Sequence, residues 1–381
     1  MNLAIRKGMK HSMKTQNVYY YEVSGTHEEI GKQLAREMDA KRLYMPAPAF
    51  FTDKEVEEAL QLYDTYCPGL REELGGFSQE AGISVKDIAY TWMTYLVPRC
   101  SGLVVLGGQM ADGHTRLARN YEFSIEDEDL AVCKTSAKGK YTHIGGTIVA
   151  FGRTEGINEC GLAVSMSSCG LPVSNMEGMR APKLKGLQFW AVIRSLLENC
   201  KNVEEALKLV SAMPIAFNIN LYLADANGNA VLFETMDGHI AYEQISEASS
   251  KKYVCGTNHI VLPDILKYDP MAMRNSIVRY EKLKQFLDTH PCLEEAQIKE
   301  FLLKKYPEGM SVYYYKDWFG TIKSVVMDTV EKRYSICWFG QTENGWEDYM
   351  VPESIQNAEE AKLVEEERGT REFFEFVPIE S

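Results

Sequence analysis

The chain has 381 residues, of which 45% are hydrophobic and 25% charged, a composition typical of a globular protein with a large core. Its formal net charge of −13 excludes a general nucleic-acid binder, because neutralising phosphates requires clustered lysine and arginine. No stretch resembles a secretory signal, and no window approaches about 18 consecutive apolar residues, so we expect neither secretion nor a membrane span.

The nine cysteines are odd in number, scattered, and without a C-x-x-C pair. This pattern argues against a disulfide framework and against a structural zinc site. We therefore expect free thiols in a reducing cytoplasm, with no metal and no cofactor.

The first quarter of the chain is predicted to be mostly helical, after a short strand at residues 17–25. Two of its helices begin with capping boxes, a third with a proline in its first turn, and a fourth with a serine cap. These helices are expected at 26–43, 52–66, 68–82 and 84–98.

From Cys100 onward the pattern changes to strands joined by short turns, which favours mostly antiparallel sheets covered by helices. Residues 353–367, rich in glutamate, are expected to form a solvated helix or a frayed end. The predicted strand pairs are 101–107 with 114–123, 143–152 with 161–168, the two halves of 219–235, and the two halves of 320–340. A single strand is expected at 252–260, and helices at 186–200, from 202 onward, and at 276–288.

Cys100 stands at the start of a predicted buried strand, about a quarter of the way along the chain. A lone cysteine at such a position is most often a small buried hydrophobe. The sequence around Cys100 sets it apart from the other cysteines. Ser101 follows it, a turn at Asp112-Gly113 ends the strand, and the next strand carries Arg-Asn-Tyr-Glu at 119–122.

This arrangement resembles the cysteine N-terminal-nucleophile hydrolases, in particular the acyl-coenzyme A:6-aminopenicillanic acid / isopenicillin N acyltransferase family, to which penicillin V acylase and conjugated bile-acid hydrolase are related. Five further stretches resemble motifs of that family, in the same order along the chain. Together they are far more specific than any one alone. They are GTHEEIG at 25–31, the helix at 70–82, NECGL at 158–162, GTNH at 256–259 and SIVRY at 276–280.

The resemblance implies an α+β fold of four layers, αββα, in which two stacked, mostly antiparallel sheets lie between helical layers. It also implies that the chain cuts itself between Arg99 and Cys100, when the thiol attacks the preceding carbonyl and water hydrolyses the thioester. Residues 1–99 would then be a helical pro-segment and residues 100–381 the catalytic core. The two fragments are expected to stay associated.

The same resemblance implies the roles of the site residues. The new α-amine of Cys100, with a pKa of about 8, is the general base for its own thiol. Arg119 favours the thiolate, Glu122 orients the α-amine, Asn258 donates its amide to the oxyanion, and Arg279 completes the polar cluster. Further oxyanion or substrate contacts are expected from Ser168, Asn158 and Ser101.

At some positions a second residue is an alternative candidate for the same role, or the residue departs from the family's pattern. Glu122 stands where the relatives usually carry aspartate. Arg116 is a rival for the role of Arg119, and Ser167 is a rival for that of Ser168.

The sequence thus predicts a linear-amide C–N hydrolase or acyltransferase that acts through a Cys100 acyl-thioester. Its expected partner is a small-molecule acyl amide, with an acyl-thioester donor as an open alternative. No nucleic-acid or membrane partner is expected, and a homo-oligomer stays open. Three aromatic stretches, at 46–51, 217–223 and 312–319, are candidate linings of an acyl pocket, although such stretches are more often core.

Two other functions compete with this prediction. One is an uncleaved, non-catalytic binding protein on the same fold. The other is a papain-type Cys-His hydrolase, which the sequence disfavours because Cys100 opens a strand and not a helix. In keeping with this, His259 and His114 are expected to be structural or exposed.

Overall fold

A computed structural model describes residues 12–38, 52–86, 88, 99–170 and 183–379. Most of the predicted helix at 84–98 and the aromatic stretch at 46–51 lie outside these residues. Within them, no helix has the length and apolar character needed to cross a membrane.

The strands in the described residues account for most of the chain after Cys100 and for one long segment before it. They are β1 (Ser12–Gly25), β2 (Ser101–Val105), β3 (Arg116–Phe123), β4 (Ala131–Ala137), β5 (His143–Ile148), β6 (Gly152–Arg153), β7 (Glu155–Asn158), β8 (Ala163–Ser168), β9 (Ile219–Ala224), β10 (Asn229–Met236), β11 (His239–Ser246), β12 (Tyr253–Gly256), β13 (Met271–Met273), β14 (Tyr313–Tyr314), β15 (Phe319–Asp328), β16 (Arg333–Trp338), β17 (Glu347–Met350), β18 (Ala358–Glu366) and β19 (Phe376–Pro378).

The α-helices fall into three groups, one before β2, one between β8 and β9, and one between β12 and β14. They are α1 (His27–Glu37), α2 (Asp53–Tyr66), α3 (Leu70–Ala81), α4 (Phe189–Asn199), α5 (Val203–Val210), α6 (Pro263–Leu266), α7 (Arg274–Thr289) and α8 (Glu295–Leu303).

Several local signals that predicted helix ends are present in the structure. Pro68 does not open the third helix as predicted, because α3 begins at Leu70 after Gly69. Thr26 and Thr52 each accept a hydrogen bond from the backbone of a glutamate three residues later, whose carboxylate reaches back to the cap, which confirms both capping boxes. Gly82 ends α3 in the left-handed region, with φ +68. Asn202 caps α5 by accepting from the Glu205 N–H at 3.0 Å.

Two sheets form the centre of the molecule. The first runs β11-β10-β9-β8-β7-β5-β4-β1-β18, with β6 paired to β5, and the second runs β12-β2-β3-β15-β16-β17, with β14 paired to β15. All these pairings are antiparallel except that of β1 with β4. A separate small sheet joins β13 to β19.

Three apolar clusters show that the sheets are stacked between helices. Side chains of α1 to α5 pack on the outer face of the first sheet, and side chains of α7 and α8 on the outer face of the second. The third cluster, which includes Val132 and Leu232 of the first sheet and Val104 and Val325 of the second, fills the space between the sheets. The predicted four-layer α+β fold is confirmed, and Cys100 lies in the cluster between the sheets.

Two predictions of elements were wrong. The strands at 143–152 and 161–168 do not pair with each other, because Glu155–Asn158, read as a link, is itself the strand β7 between β5 and β8. The tail is not a helix, since 358–366 pairs antiparallel with β1 as an edge strand. Its glutamates suit an edge strand, whose solvent-facing side can carry charge.

Candidate active site

Cys100 immediately precedes β2, whose neighbours in the second sheet are β12 and β3. It is only 3% exposed. Its φ of +81 lies in the left-handed region, which costs a non-glycine residue about 1–3 kcal/mol. The surrounding structure therefore holds the backbone on the C-terminal side of the Arg99–Cys100 bond in a strained conformation.

The carbonyl group of Arg99 is held by Ser168, the last residue of β8 in the first sheet. The Ser168 N–H donates to the Arg99 carbonyl oxygen at 3.1 Å, and Ser168 Oγ lies 3.4 Å from the same oxygen. The Arg99 N–H donates to Ser168 Oγ at 2.9 Å. Two donors on one carbonyl oxygen polarise the carbonyl and can stabilise the oxyanion that nucleophilic attack creates.

The loop after β12 and the first turns of α7 complete this side of the site. Asn258 Nδ2 donates to the Ser168 carbonyl at 2.7 Å, and the Asn258 N–H donates to Ser276 Oγ at 2.8 Å. Arg279 donates through Nη1 to the Cys100 carbonyl at 3.2 Å and through Nη2 to Asn258 Oδ1. One arginine of α7 therefore ties the backbone of Cys100 to the side chain of Asn258.

Glu122 contributes a buried carboxyl group beside Cys100. Its Oε1 accepts from Thr321 Oγ1 at 3.4 Å, while its Oε2 lies 3.9 Å from Arg279 Nη1 and has no hydrogen-bond donor among the described residues. The Cys100 thiol donates to the backbone carbonyl of Glu122 at 3.9 Å. Burial raises the pKa of the Glu122 carboxyl, and the charges of Arg279 and Arg119 oppose that rise.

Arg119 is fully buried, and its charge acts on the Cys100 thiol. Its Nη1 donates to the Thr154 carbonyl at 2.5 Å and to Glu155 Oε2 at 3.1 Å. Burial raises the pKa of the Cys100 thiol to about 11, and the positive charge of Arg119 is the largest effect opposing this rise. The thiol is therefore protonated near neutral pH in these surroundings, so its proton must move to another group when Cys100 reacts.

Glu155 and Lys323, which the sequence did not single out, extend this polar cluster between the sheets. Glu155 Oε1 lies 3.4 Å from Lys323 Nζ and accepts from the Tyr334 hydroxyl at 2.9 Å. All three side chains are fully buried, and Glu155 is shared by Lys323 and Arg119. The sequence offers one signal for this cluster, a lysine inside the mostly apolar strand segment IKSVVM at 322–327.

Arg116 and Arg119, the two candidates for the arginine beside Cys100, lie at different points along β3: Arg116 is its first residue and Arg119 its fourth. Arg119 is opposite Gly102, whereas Arg116 is opposite Val105, near the far end of β2. The guanidinium group of Arg116 forms ion pairs with Asp112, Glu295 and Asp328. Arg119, and not Arg116, is therefore the arginine near Cys100.

The side chains of Asp112, His114 and Asp328 are close enough to one another to share a metal ion. Arg116 already lies among them, with Nη2 at 2.5 Å from Asp112 Oδ2 and 2.9 Å from Asp328 Oδ2. This cluster is therefore explained as an ion-pair network around a buried arginine.

Ser167 and Ser168 point in different directions from adjacent positions. Ser167 Oγ lies 2.9 Å from the Tyr222 hydroxyl and donates to the Thr257 carbonyl. Ser168, and not its rival, is therefore the serine that contacts Arg99.

Asn158 is the last residue of β7, at the start of the turn that leads to β8. Its Oδ1 accepts from the N–H groups of Cys160 and Leu162, and its Nδ2 donates to the carbonyls of Leu197 and Cys200 at the end of α4. These four bonds make Asn158 an organiser of the turn and separate it from the cluster around Cys100.

Ser101 and His259 are buried close to the site. Ser101 lies opposite Asn120 in β3, and its Oγ has no hydrogen-bond partner among the described residues. His259 Nδ1 lies 2.7 Å from Ser276 Oγ, and burial, together with Arg279, lowers the pKa of His259 to about 4. The imidazole is thus neutral near pH 7 and orients Ser276.

Comparison with known proteins gives one family match. Residues 109–343 match the sequence profile of the family described as acyl-coenzyme A:6-aminopenicillanic acid acyl-transferase. No curated protein matches the chain.

Several solved structures are similar to this chain at low sequence identity. A variant of conjugated bile acid hydrolase from Clostridium perfringens is 11% identical, with a TM-score of 0.43 over 69% of this chain and 96% of that one. Penicillin V acylase from Agrobacterium tumefaciens is 17% identical, with a TM-score of 0.42 over 63% and 83%. The Caenorhabditis elegans orthologue of N-acylethanolamine-hydrolyzing acid amidase is 16% identical, with a TM-score of 0.42 over 61% and 93%.

Proposed function

The chain belongs to the acyl-coenzyme A:6-aminopenicillanic acid acyl-transferase family, and we propose that it is a self-processing amide hydrolase or acyltransferase whose nucleophile is the Cys100 thiol. The observation that carries this proposal is the way the peptide bond between Arg99 and Cys100 is held. The carbonyl oxygen of Arg99 has two donors from Ser168, and the next residue is a buried cysteine with a strained φ of +81.

The first step is cleavage of the chain's own Arg99–Cys100 bond. Cys100 Sγ bonds to the Arg99 carbonyl carbon, and the oxyanion that forms is stabilised by the Ser168 N–H and Oγ. The C–N bond then breaks, the thiol proton ends on the departing nitrogen, and a thioester remains. One water molecule hydrolyses the thioester, which leaves a carboxylate on Arg99, a free thiol and a free α-amine on Cys100.

The new α-amine supplies the base that the buried thiol lacks. With a pKa of about 8, part of this amine is neutral near pH 7 and can accept a proton. Once protonated, its positive charge adds to that of Arg119 in favouring the thiolate. It lies on the same residue as the thiol, so it can take the thiol proton and later give it to a leaving amine. Glu122 Oε2, which has no hydrogen-bond donor in the part of the chain described, is the acceptor proposed to orient this amine.

Turnover of an external amide follows the same course. The thiolate, favoured by Arg119, bonds to the acyl carbon, the C–N bond breaks, and the amine leaves with the proton. Water or an acceptor amine then takes the acyl group from Cys100. Asn258 has two amide hydrogens and uses one on the Ser168 carbonyl, so the other can serve the oxyanion together with the Ser168 N–H. Arg279 holds Asn258 and Cys100 in this arrangement.

We further propose that residues 1–99 stay bound as the pro-segment after cleavage, while residues 100–381 form the catalytic core. The strand β1 lies between β4 and β18 inside the first sheet, and α1 to α3 pack in one apolar cluster with α4. Fragments joined by a shared sheet and core should not separate without unfolding. The scattered, unpaired cysteines support a reducing, cytoplasmic setting.

The experiment that tests this function traps the acyl-enzyme. The purified protein is mixed with chromogenic acyl amides and quenched in acid, and the mass is measured of the fragment beginning at Cys100 or, for Cys100→Ala, of the uncut chain. We expect a mass gain equal to the acyl group, removable by neutral hydroxylamine and absent in Cys100→Ala. Cys292→Ala, which removes an exposed thiol, is the matched control and should still form the adduct. An uncleaved binding protein would form no adduct at Cys100.

A further inference from the structure

The guanidinium group of Arg99 contacts the faces of two aromatic rings. Its guanidinium carbon lies 5.0 Å from the ring centroid of Phe123 and 5.8 Å from that of Trp318. The residue is only 5% exposed. Both distances are within the range of attractive cation–π contacts.

A cavity of about 310 Å³ adjoins this side chain. Its lining includes Met273, Trp318, Phe319 and Phe374 in addition to Arg99 itself. The two charged residues that also line it, Lys316 and Asp317, form ion pairs with Glu366 and Arg368. Trp318 is 40% exposed, so the aromatic lining reaches the surface of the molecule. We call the group formed by Phe123, Trp318, Phe319 and Met273 the aromatic slot.

The main chain of Arg99 is held as firmly as its side chain. Its carbonyl oxygen accepts from Ser168 N–H, and its own N–H donates to Ser168 Oγ at 2.9 Å. Residue 99 therefore has three recognition points, namely a carbonyl, an N–H and a planar cation. An external substrate that reproduced all three would be an Nα-acylated arginine amide.

Self-cleavage and turnover use the same sulfur atom, so both reactions must place the attacked carbonyl carbon at the same point. Groups on the acyl side of that carbon then lie where the Arg99 side chain lies before cleavage, a place that Arg99, the new end of the pro-segment, has to leave while the rest of residues 1–99 stays bound. We propose that the aromatic slot is the acyl subsite of the mature enzyme, and that it selects amides whose acyl part is an Nα-acylated arginyl group. This inference rests on the function proposed above.

Charge at the subsite distinguishes an arginyl group from neutral groups of the same shape. The negative faces of Phe123 and Trp318 attract a cation and give a neutral planar group no equivalent charge interaction. The chain's net charge of −13 also favours the approach of a cationic substrate. We expect a preference of about tenfold in kcat/KM for arginine over its neutral isostere citrulline.

The test measures release of para-nitroaniline by the mature wild-type enzyme from four Nα-acetyl amino acid para-nitroanilides. The arginine compound is compared with three others. Citrulline tests the effect of the charge, phenylalanine tests whether a neutral ring binds as well, and norleucine tests whether a flexible apolar chain does. We expect arginine to be the fastest of the four. Trp318→Leu, which keeps apolar bulk but removes the ring, should reduce the ratio of arginine to citrulline severalfold. Tyr242→Ala, an exposed aromatic on β11, should leave that ratio unchanged.

A second measurement uses the precursor, for which no external substrate is needed. Arg99→Lys should self-cleave faster than Arg99→Asp, because only the former keeps a cation that the faces of Phe123 and Trp318 can attract. Equal cleavage of these two variants would contradict the role of the slot.

The outcomes separate the two proposals. If the enzyme cuts itself and turns over the anilides with citrulline, phenylalanine or norleucine equal to arginine, the subsite inference is overturned and the proposed function stands. The inference is also overturned if Trp318→Leu keeps the wild-type ratio. If the chain neither cuts itself nor forms an adduct at Cys100 with any of the four compounds, the proposed function fails, and the inference fails with it.

Discussion

Removal of the Ser168 hydroxyl should slow self-cleavage by about tenfold. A well-placed oxyanion donor, at about 2.7–3.1 Å, contributes a factor of about 10²–10³. Ser168 Oγ lies 3.4 Å from the Arg99 carbonyl oxygen, longer than that range, and the Ser168 N–H at 3.1 Å survives the substitution to alanine. The smaller factor of about ten corresponds to about 1.4 kcal/mol in the barrier.

The assay follows newly made chains from cell-free synthesis, quenched in denaturant at intervals and separated by mass. The intact chain of 43.2 kDa should persist longer in Ser168→Ala than in wild type. Ser167→Ala is the matched control, because Ser167 Oγ bonds to Tyr222 and Thr257 and not to Arg99. The reasoning is refuted if Ser168→Ala cleaves at the wild-type rate, or if both serine variants slow cleavage equally.

Three other expectations follow from the contacts of the site. Asn258→Ala should fold with an unchanged circular dichroism spectrum but lose about 10²–10³ in kcat, and unchanged turnover would remove Asn258 from the oxyanion site. Glu155→Gln removes the carboxylate shared by Arg119 and Lys323, so it should lower the free energy of unfolding, measured in urea, by about 3–5 kcal/mol. Adding Lys323→Met removes one of the two cations left without this carboxylate, so the double variant should regain part of that loss. Burial raises the pKa of Glu128 from 4.5 to about 8. The folded state therefore binds this proton more tightly than the unfolded state, and the stability from this group is lost as the pH rises from about 5 to 9. The melting temperature of Glu128→Gln should fall less over that pH range than that of wild type. Equal falls in the two proteins would contradict the direction of this pH dependence.

Features that depend on neighbouring residues were predictable from the sequence. The capping boxes at Thr26 and Thr52, the stop at Gly82 and the hairpin of β2 with β3 are all specified within a few residues along the chain. The stacking of two sheets between helices came from the family resemblance, and the apolar clusters confirm it.

Features that depend on pairing across long separations were not predictable. The tail at 358–366 has the composition of a helix, but it pairs as a strand with β1, which lies more than 330 residues earlier in the chain. Nothing in the sequence of the tail itself indicates this partner. Likewise, Glu155 and Lys323 come from different sheets, and only the stacking of the sheets brings them together around Arg119. Propensity describes a segment alone, so contacts made by the whole fold can override it.

The intact mass of the purified protein under denaturing conditions tests the central claim most directly. We predict two fragments, residues 1–99 and 100–381, whose masses add up to that of the 43.2 kDa chain plus one water molecule. The larger fragment should begin with Cys100, and Cys100→Ala should remain a single chain. A wild-type protein found only as one chain of 43.2 kDa, indistinguishable in processing from Cys100→Ala, would contradict the account.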